Sequence, residues 1–367
     1  MKSHLIFLAI FIHQLLNPKV SAQVGDNLEH EILSKHLLPE GDVLSLSYYE
    51  KSCPNVEAII HKKVNAWIEK DYTLAASLIR LHFHDCAIRG CGASILLNYE
   101  GSERGASSSK SLRGFEVIDD IKAEVEKACP HTVSSTDILT TAARDATLKQ
   151  QYAGDEKNGQ PFFTCLLPRV LVPETELDQR RTRTATATRT PATRGEDSSN
   201  FPVTRGTGSA ASRRGAIPAT SSGTAAAVLS LFSGAHTIGR STCSSIQERL
   251  YNYKGTGKPD PTIHAGYFYF LKRKCRWASE YVDLDGTTPK TFDSAYYTNL
   301  QKKMGLLFTD QLLYSDSRTA PIVTALATQP WLFYRQFAVS MVNLGKTQIL
   351  TGSDEGEIRT NCNFVNH

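Results

Sequence analysis

The chain has 367 residues, 41% of them hydrophobic, and a formal net charge of +4 at pH 7. That length supports one large domain or two lobes around a sizeable core. Acidic and basic residues are nearly balanced, which excludes a nucleic-acid binder driven by charge.

Met1 to Ala22 carries an early Lys2, the apolar run LIFLAIFI and a small-residue exit at VSA. This predicts a secretory signal peptide over residues 1–22. A membrane anchor is the weaker reading, because the run is short and His13 interrupts it. Secretion makes disulfides the expected state of the eight cysteines. The chain has no N-x-[ST] sequon, so N-glycosylation is not expected.

Residues 23–43 read as a polar, irregular N-terminal arm, and residues 44–367 as the main domain. In LSLSYYEKSCPNVEAII, Pro54 suits the first turn of a helix. Val56, Ile59, Ile60, Val64 and Trp67 then form an apolar face through Glu69.

Ser77 to Ser94, SLIRLHFHDCAIRGCGAS, is the densest chemical stretch. Apolar spacing predicts a helix over Ala75 to Cys86. Residues three and four apart share a helix face, so Arg80, Phe83 and His84 point one way and His82 another. A cation, an aromatic wall and a base together suit a pocket that handles protons and developing negative charge. H-x-H beside C-x4-C also reads as a metal site, although zinc ligands usually take other spacings.

Asn98 to Ser111 reads as a loop. LRGFEVIDDIKAEVEKACP is an amphipathic helix with Val117, Ile118, Ile121 and Val125 on one face, and HTVSSTDILTTAARDATL reads as another helix. Residues 151–222 differ: they are rich in Arg, Thr, Ala, Gly and Ser and have almost no apolar periodicity, as in RRTRTATATRTPATRGED. The composition predicts irregular or disordered chain. It has the look of GC-rich coding sequence read out of frame, or of a retained intron; a flexible insertion is the alternative. Apolar content returns at AAAVLSLFSGAHTIGRSTC. IGRSTCSSIQERLYNY reads as a helix, IHAGYFYFLKRKC as another, and Trp331 to Leu344 as the last.

RLHFHDC followed by GC and ASILL resembles the distal helix of class III secretory plant haem peroxidases. YYEKSCPNVE resembles the family's opening, and SGAHTIG its proximal haem motif. The resemblance runs over about Leu44 to Leu148 and Val228 to Val365. It implies a mainly α, two-lobed fold with haem b between distal and proximal helices, interrupted here by segment 151–222. It implies His236 as axial iron ligand and Asp310 as acceptor of that ligand's other N–H. His84 becomes the acid–base group, Arg80 the stabiliser of developing negative charge, and Phe83 a pocket wall. Hydrogen peroxide and small phenolic donors are the implied partners, acting on a monomer with no membrane after signal cleavage. The implied location is extracellular, in the cell wall, with the vacuole as the other destination.

The resemblance also implies two structural calcium ions. The proximal set is Thr237, Asp285, Thr288, Thr291 and Asp293. For the distal set, Asp85, Ser94, the carbonyls of Ile88 and Gly90, and Glu103 through water can be matched. The family's next carboxylate is Gly92 here, so one tightly held ion is expected rather than two. A loop Asn that supports the distal His in relatives is missing from Ala106 to Ser109. The implied disulfides are Cys53–Cys129, Cys86–Cys91 and Cys243–Cys275. Ser135 stands where the family has a fourth partner for Cys362, which leaves Cys362 and Cys165 spare. These departures keep two other readings open: a misassembled product that binds haem poorly, and a secreted protein that binds metal through HFHDC.

Overall fold

Hydrophobic spacing becomes helix through most of the chain. The computed structural model describes residues 48–152, 232–351 and 356–366. The signal peptide, the N-terminal arm, Cys165 and the rest of segment 151–222 beyond residue 152 lie outside the described residues. Helix α1, Val56–Lys70, buries Val56, Ile60, Val64 and Ile68. Ile59 and Trp67 pack partly buried beside them, and the Trp67 indole donates to Asp120 at 2.9 Å. Helix α2, Thr73–Arg89, extends past the expected Ala75–Cys86 at both ends. It stops at Gly90, whose φ is +88°. A β-carbon there would lie 2.6 Å from the Thr347 carbonyl, so only glycine fits the turn.

Helix α3, Phe115–Ala128, buries the predicted Val117, Ile118, Ile121 and Val125. Helix α4, Ser135–Tyr152, takes the first two residues of the atypical segment into its last turn. It packs against α2, α1 and α3. Ser134 caps it: its hydroxyl accepts from the Asp137 amide at 3.0 Å and donates to the Asp137 carboxylate at 2.7 Å.

The first correction falls after the proximal motif. IGRSTCSSIQERLYNY is not one helix. Strand β1, Arg240–Thr242, pairs antiparallel with β2, Tyr281–Asp283. A 3₁₀ turn over Cys243–Ser245 follows, and only Gln247–Tyr251 forms a helix, α5. The apolar spacing of Ile238, Ile246 and Leu250 looked helical, but pairing with a distant strand decides the backbone. Helices α6, Ala265–Lys274, α7, Ala295–Gln301, α8, Phe308–Ser315, α9, Ala320–Thr328, and α10, Pro330–Gly345, complete the described set. Pro330 opens the last helix, where its missing N–H costs nothing.

Buried apolar residues gather into two clusters. The larger joins α1–α4 to α7, α9 and α10. The smaller is built from Cys243, Ile246, Leu250, Tyr267, Leu271, Cys275, Val282 and Leu306. Arg249 braces the smaller one: it pairs with Asp260 at 2.8 Å and donates to the carbonyls of Gly305 and Leu306 at 2.7 and 2.6 Å. That fixes the approach to α8. The chain end clasps the other lobe. The Asn98 amide donates to Asn363 O at 2.9 Å, Arg104 donates to the Asn363 side chain at 2.7 Å, and Arg359 donates to Ala93 O at 2.9 Å.

Asp137 is buried and also accepts from Tyr49 Oη at 2.7 Å. Burial pushes its carboxyl up to about 6, against the opposing pull of those two hydrogen bonds. A raised folded pKa favours the protonated form. The stability it confers is present below about pH 4 and lost as pH rises through about 6, worth at most about 3 kcal/mol. Relative to Asp137→Asn, the parent should therefore lose stability between pH 4 and pH 6. Denaturant midpoints across that range check this; parallel curves would refute it.

Candidate functional site

Helix α2 is buried on most sides, and the side that is not carries the chemistry. Arg80 and Phe83 are exposed and His84 is half-buried. The Phe83 and His84 rings meet edge to face, with centroids 6.2 Å apart. Arg80 is aimed by a residue the sequence did not single out. Its two terminal nitrogens donate to the Ser111 carbonyl at 3.2 Å and to the Ser111 hydroxyl at 3.0 Å. His82 faces the core and is buried. Burial pushes its pKa down to about 4, so it is neutral at ordinary pH. Cys86 and Cys91 are bonded to each other, so neither is available to a metal beside HFHDC.

The second His arrives from a distant part of the chain. His236 sits in a 3₁₀ turn, Gly234–Thr237. Phe232, four residues before it, packs against Phe83 at 6.0 Å between centroids, so the two motifs are neighbours in space. His236 Nδ1 lies 2.9 Å from Asp310 Oδ1. Asp310 is buried in the first turn of α8, where its other oxygen accepts the Leu307 amide at 3.2 Å. One carboxylate thus caps a helix and orients the imidazole. Desolvation alone would lower the His236 pKa; the charge and hydrogen bond of Asp310 reverse this and raise it. The Arg80 charge works against the imidazolium, which places both groups within electrostatic reach. Tyr296, buried and edge-on to His236 at 6.3 Å, was also not anticipated from sequence.

Below His236, oxygens converge. Asp293 Oδ1 lies 3.1 Å from the Thr288 hydroxyl and 3.4 Å from that of Thr237, which lies 3.5 Å from Thr291 O. Asp285 Oδ1 accepts from Asn299 at 2.8 Å, while its Oδ2 is buried without a hydrogen-bond partner. Burial raises the Asp293 pKa, and the Asp285 charge adds to the shift. One buried and one half-buried carboxylate, an orphan oxygen and threonine oxygens are a hard-cation donor set.

The other oxygen cluster is thinner. Asp85 is buried and accepts the Ala93 and Ile95 amides at 2.9 and 3.4 Å. Burial pushes it up to about 6. The Ser94 hydroxyl donates to Glu103 at 3.2 Å. At Gly92, a β-carbon would find nothing within 4 Å, so the place of a second carboxylate is open space.

Cys53–Cys129, Cys86–Cys91 and Cys243–Cys275 are bonded. Cys362 is free and buried among the described residues, with its sulfur 3.1 Å from Ser135 Oγ.

A family model described as peroxidase matches residues 60–329. The chain is 44% identical to Peroxidase 7 of Arabidopsis thaliana over 335 residues, covering 91% of this chain and 87% of the relative. It is 37% identical to Peroxidase 10 of Arabidopsis thaliana over 331 residues, covering 88% and 86%. It is also 37% identical to Peroxidase 15 of Ipomoea batatas over 333 residues, covering 88% and 93%.

Proposed function

The chain belongs to the class III plant peroxidase family, and from there we propose that His236 is its haem ligand and His84 its acid–base group. Its function is that of a haem peroxidase reducing hydrogen peroxide. The observation that carries the residue roles is the 2.9 Å pairing of His236 Nδ1 with Asp310. It occupies one ring nitrogen and leaves Nε2 for a metal, in the tautomer a haem ligand needs. Phe83, opposite Phe232, walls the cavity. When bound, haem supplies the two-electron redox chemistry. His84 takes a proton from hydrogen peroxide and returns it to the departing oxygen. Arg80, aimed by Ser111, offsets the negative charge that develops as the O–O bond opens. Small phenols serve as electron donors to a monomeric, secreted enzyme whose signal peptide is residues 1–22. Among the described residues no helix is long and apolar enough to cross a membrane.

The absorption spectrum of the purified protein tests this reading. A Soret band that peroxide shifts supports it, and a parent that purifies without haem overturns it.

Haem and calcium are the groups the family implies. The Asp285 and Asp293 cradle holds one ion tightly, and the Asp85 site, with Gly92 in place of a carboxylate, holds a second weakly or not at all. Metal analysis after exhaustive dialysis should find one calcium per chain. Gly92→Asp should add a second, because the open space at Gly92 accepts a side chain. Two ions retained by the parent would refute this.

The second reading, a product with an impaired pocket, is favoured by the composition of segment 151–222. Sequencing the transcript decides its origin. An intact message encoding this stretch would sink the out-of-frame origin.

A further inference from the structure

Asp310 serves the imidazole of His236, and a further buried group lies within its field. Tyr296, in α7, is 1% exposed and stands edge-on to His236, with ring centroids 6.3 Å apart. Among the described residues its hydroxyl is buried with no hydrogen-bond partner. Buried donors are rarely left so, and each such case calls for a reason. The ring itself is held in a packed aromatic cluster. It meets Tyr297 edge-on at 5.1 Å, and Tyr297 meets Phe333 in the same way at 5.2 Å.

An acceptor is at hand. An ionised carboxylate has about four lone-pair positions. At Asp310 two are taken: Oδ1 lies 2.9 Å from His236 Nδ1, and Oδ2 accepts the Leu307 amide at 3.2 Å. Burial holds the Tyr296 phenol well above its usual pKa, and the Asp310 charge is the next cause. The hydroxyl therefore keeps its proton at ordinary pH, within reach of an anion with capacity to spare. Asp285 is the weaker candidate. Its Oδ1 already accepts the Thr287 and Thr288 amides at 2.7 and 3.1 Å and the Asn299 side chain at 2.8 Å. Its charge also acts on Tyr296 less than that of Asp310 does. Tyr267 gives the contrast. Its hydroxyl is likewise buried without a partner, but there the Asp285 charge outweighs that of Asp310.

We propose that Tyr296 is a positioning residue for the iron ligand: its hydroxyl donates to Asp310 in the haem-loaded protein and shares that carboxylate with His236. The proposal rests on the reading of His236 as the iron ligand. A carboxylate that accepts only from the imidazole draws strongly on the Nδ1 proton and gives the ring anionic character. That strengthens the bond to iron and favours the ferric state. A second donor withdraws part of the charge. Tyr296 thus sets how much of Asp310 the imidazole receives, and with it the potential of the iron.

Resonance Raman spectra of the reduced, haem-loaded full chain, read beside its ferric/ferrous midpoint potential, test this. Tyr296→Phe keeps the ring and its packing and removes only the hydroxyl. The iron–imidazole stretch should move to higher frequency. The ferric/ferrous equilibrium should shift about tenfold toward ferric, which is a potential about 59 mV lower for one electron. Tyr267→Phe removes the other unpartnered hydroxyl, on the Asp285 side. It should leave the stretch in place and the equilibrium within about twofold of the parent, the scale for a site outside the coupled pair. An unmoved stretch in Tyr296→Phe, a move to lower frequency, or an equal shift in Tyr267→Phe would each overturn the proposal while leaving His236 as the ligand. A parent with no iron–imidazole band would overturn the ligand assignment itself, and the proposal with it.

Discussion

Replacing His84 by alanine is expected to leave haem bound and to slow peroxide consumption by several orders of magnitude. A positioned acid–base group contributes ~10²–10⁴-fold, and in the proposed mechanism His84 serves both proton transfers. Arg80 should keep its orientation, because Ser111 accepts from both of its terminal nitrogens. His236→Ala should do the opposite: the Soret band is lost or altered while α2 stays folded. Stopped-flow mixing with peroxide, read beside the haem spectrum, separates the two. Parent-like reaction rates in His84→Ala would overturn the assignment.

The second large effect is on stability. Ser135 Oγ and Cys362 Sγ lie 3.1 Å apart in the core, and the two residues are 227 apart in sequence. A disulfide needs about 2.05 Å between sulfurs, so Ser135→Cys asks for only a small approach. Closing so long a loop should stabilise the chain by ~2–5 kcal/mol. Burial raises the Cys362 pKa, which keeps the thiol protonated and unreactive until a partner is supplied. Thermal unfolding with and without reductant measures the gain, and thiol titration after denaturation should show one fewer free thiol. An unchanged midpoint with the bridge formed would refute the estimate.

Local signals were legible in the sequence and distant pairings were not. Val56, Ile60 and Val64 on α1, and Val117, Ile121 and Val125 on α3, announce their helices because burial repeats every three or four residues. The run from Ile238 to Leu250 shows similar spacing, yet its first part is a strand, held by Tyr281–Asp283. No local rule reports a partner that far away. The site divides the same way. Arg80, Phe83 and His84 share a helix face and could be grouped by counting residues. Ser111 and Tyr296 reach the site only through the fold, and neither lies in a motif. The spare Cys362 was legible through the family resemblance, which puts Ser135 where a partner cysteine is expected, whereas its 3.1 Å approach to Ser135 required coordinates.

The clasp made by Arg359 and Asn363 bears on the order in which the protein can be finished. The loop it holds, from Gly92 to Arg104, leaves the ribosome long before its anchors do. Domains fold in the direction of synthesis where their contacts are local. Here the loop lacks these anchors until Arg359 and Asn363 have been made. A nascent chain can therefore bury α1, α3 and α4 and still hold its cavity unfinished. Losing Arg359 and Asn363 would leave α1, α3 and α4 able to pack while the stretch from Gly92 to Arg104 lacks these anchors.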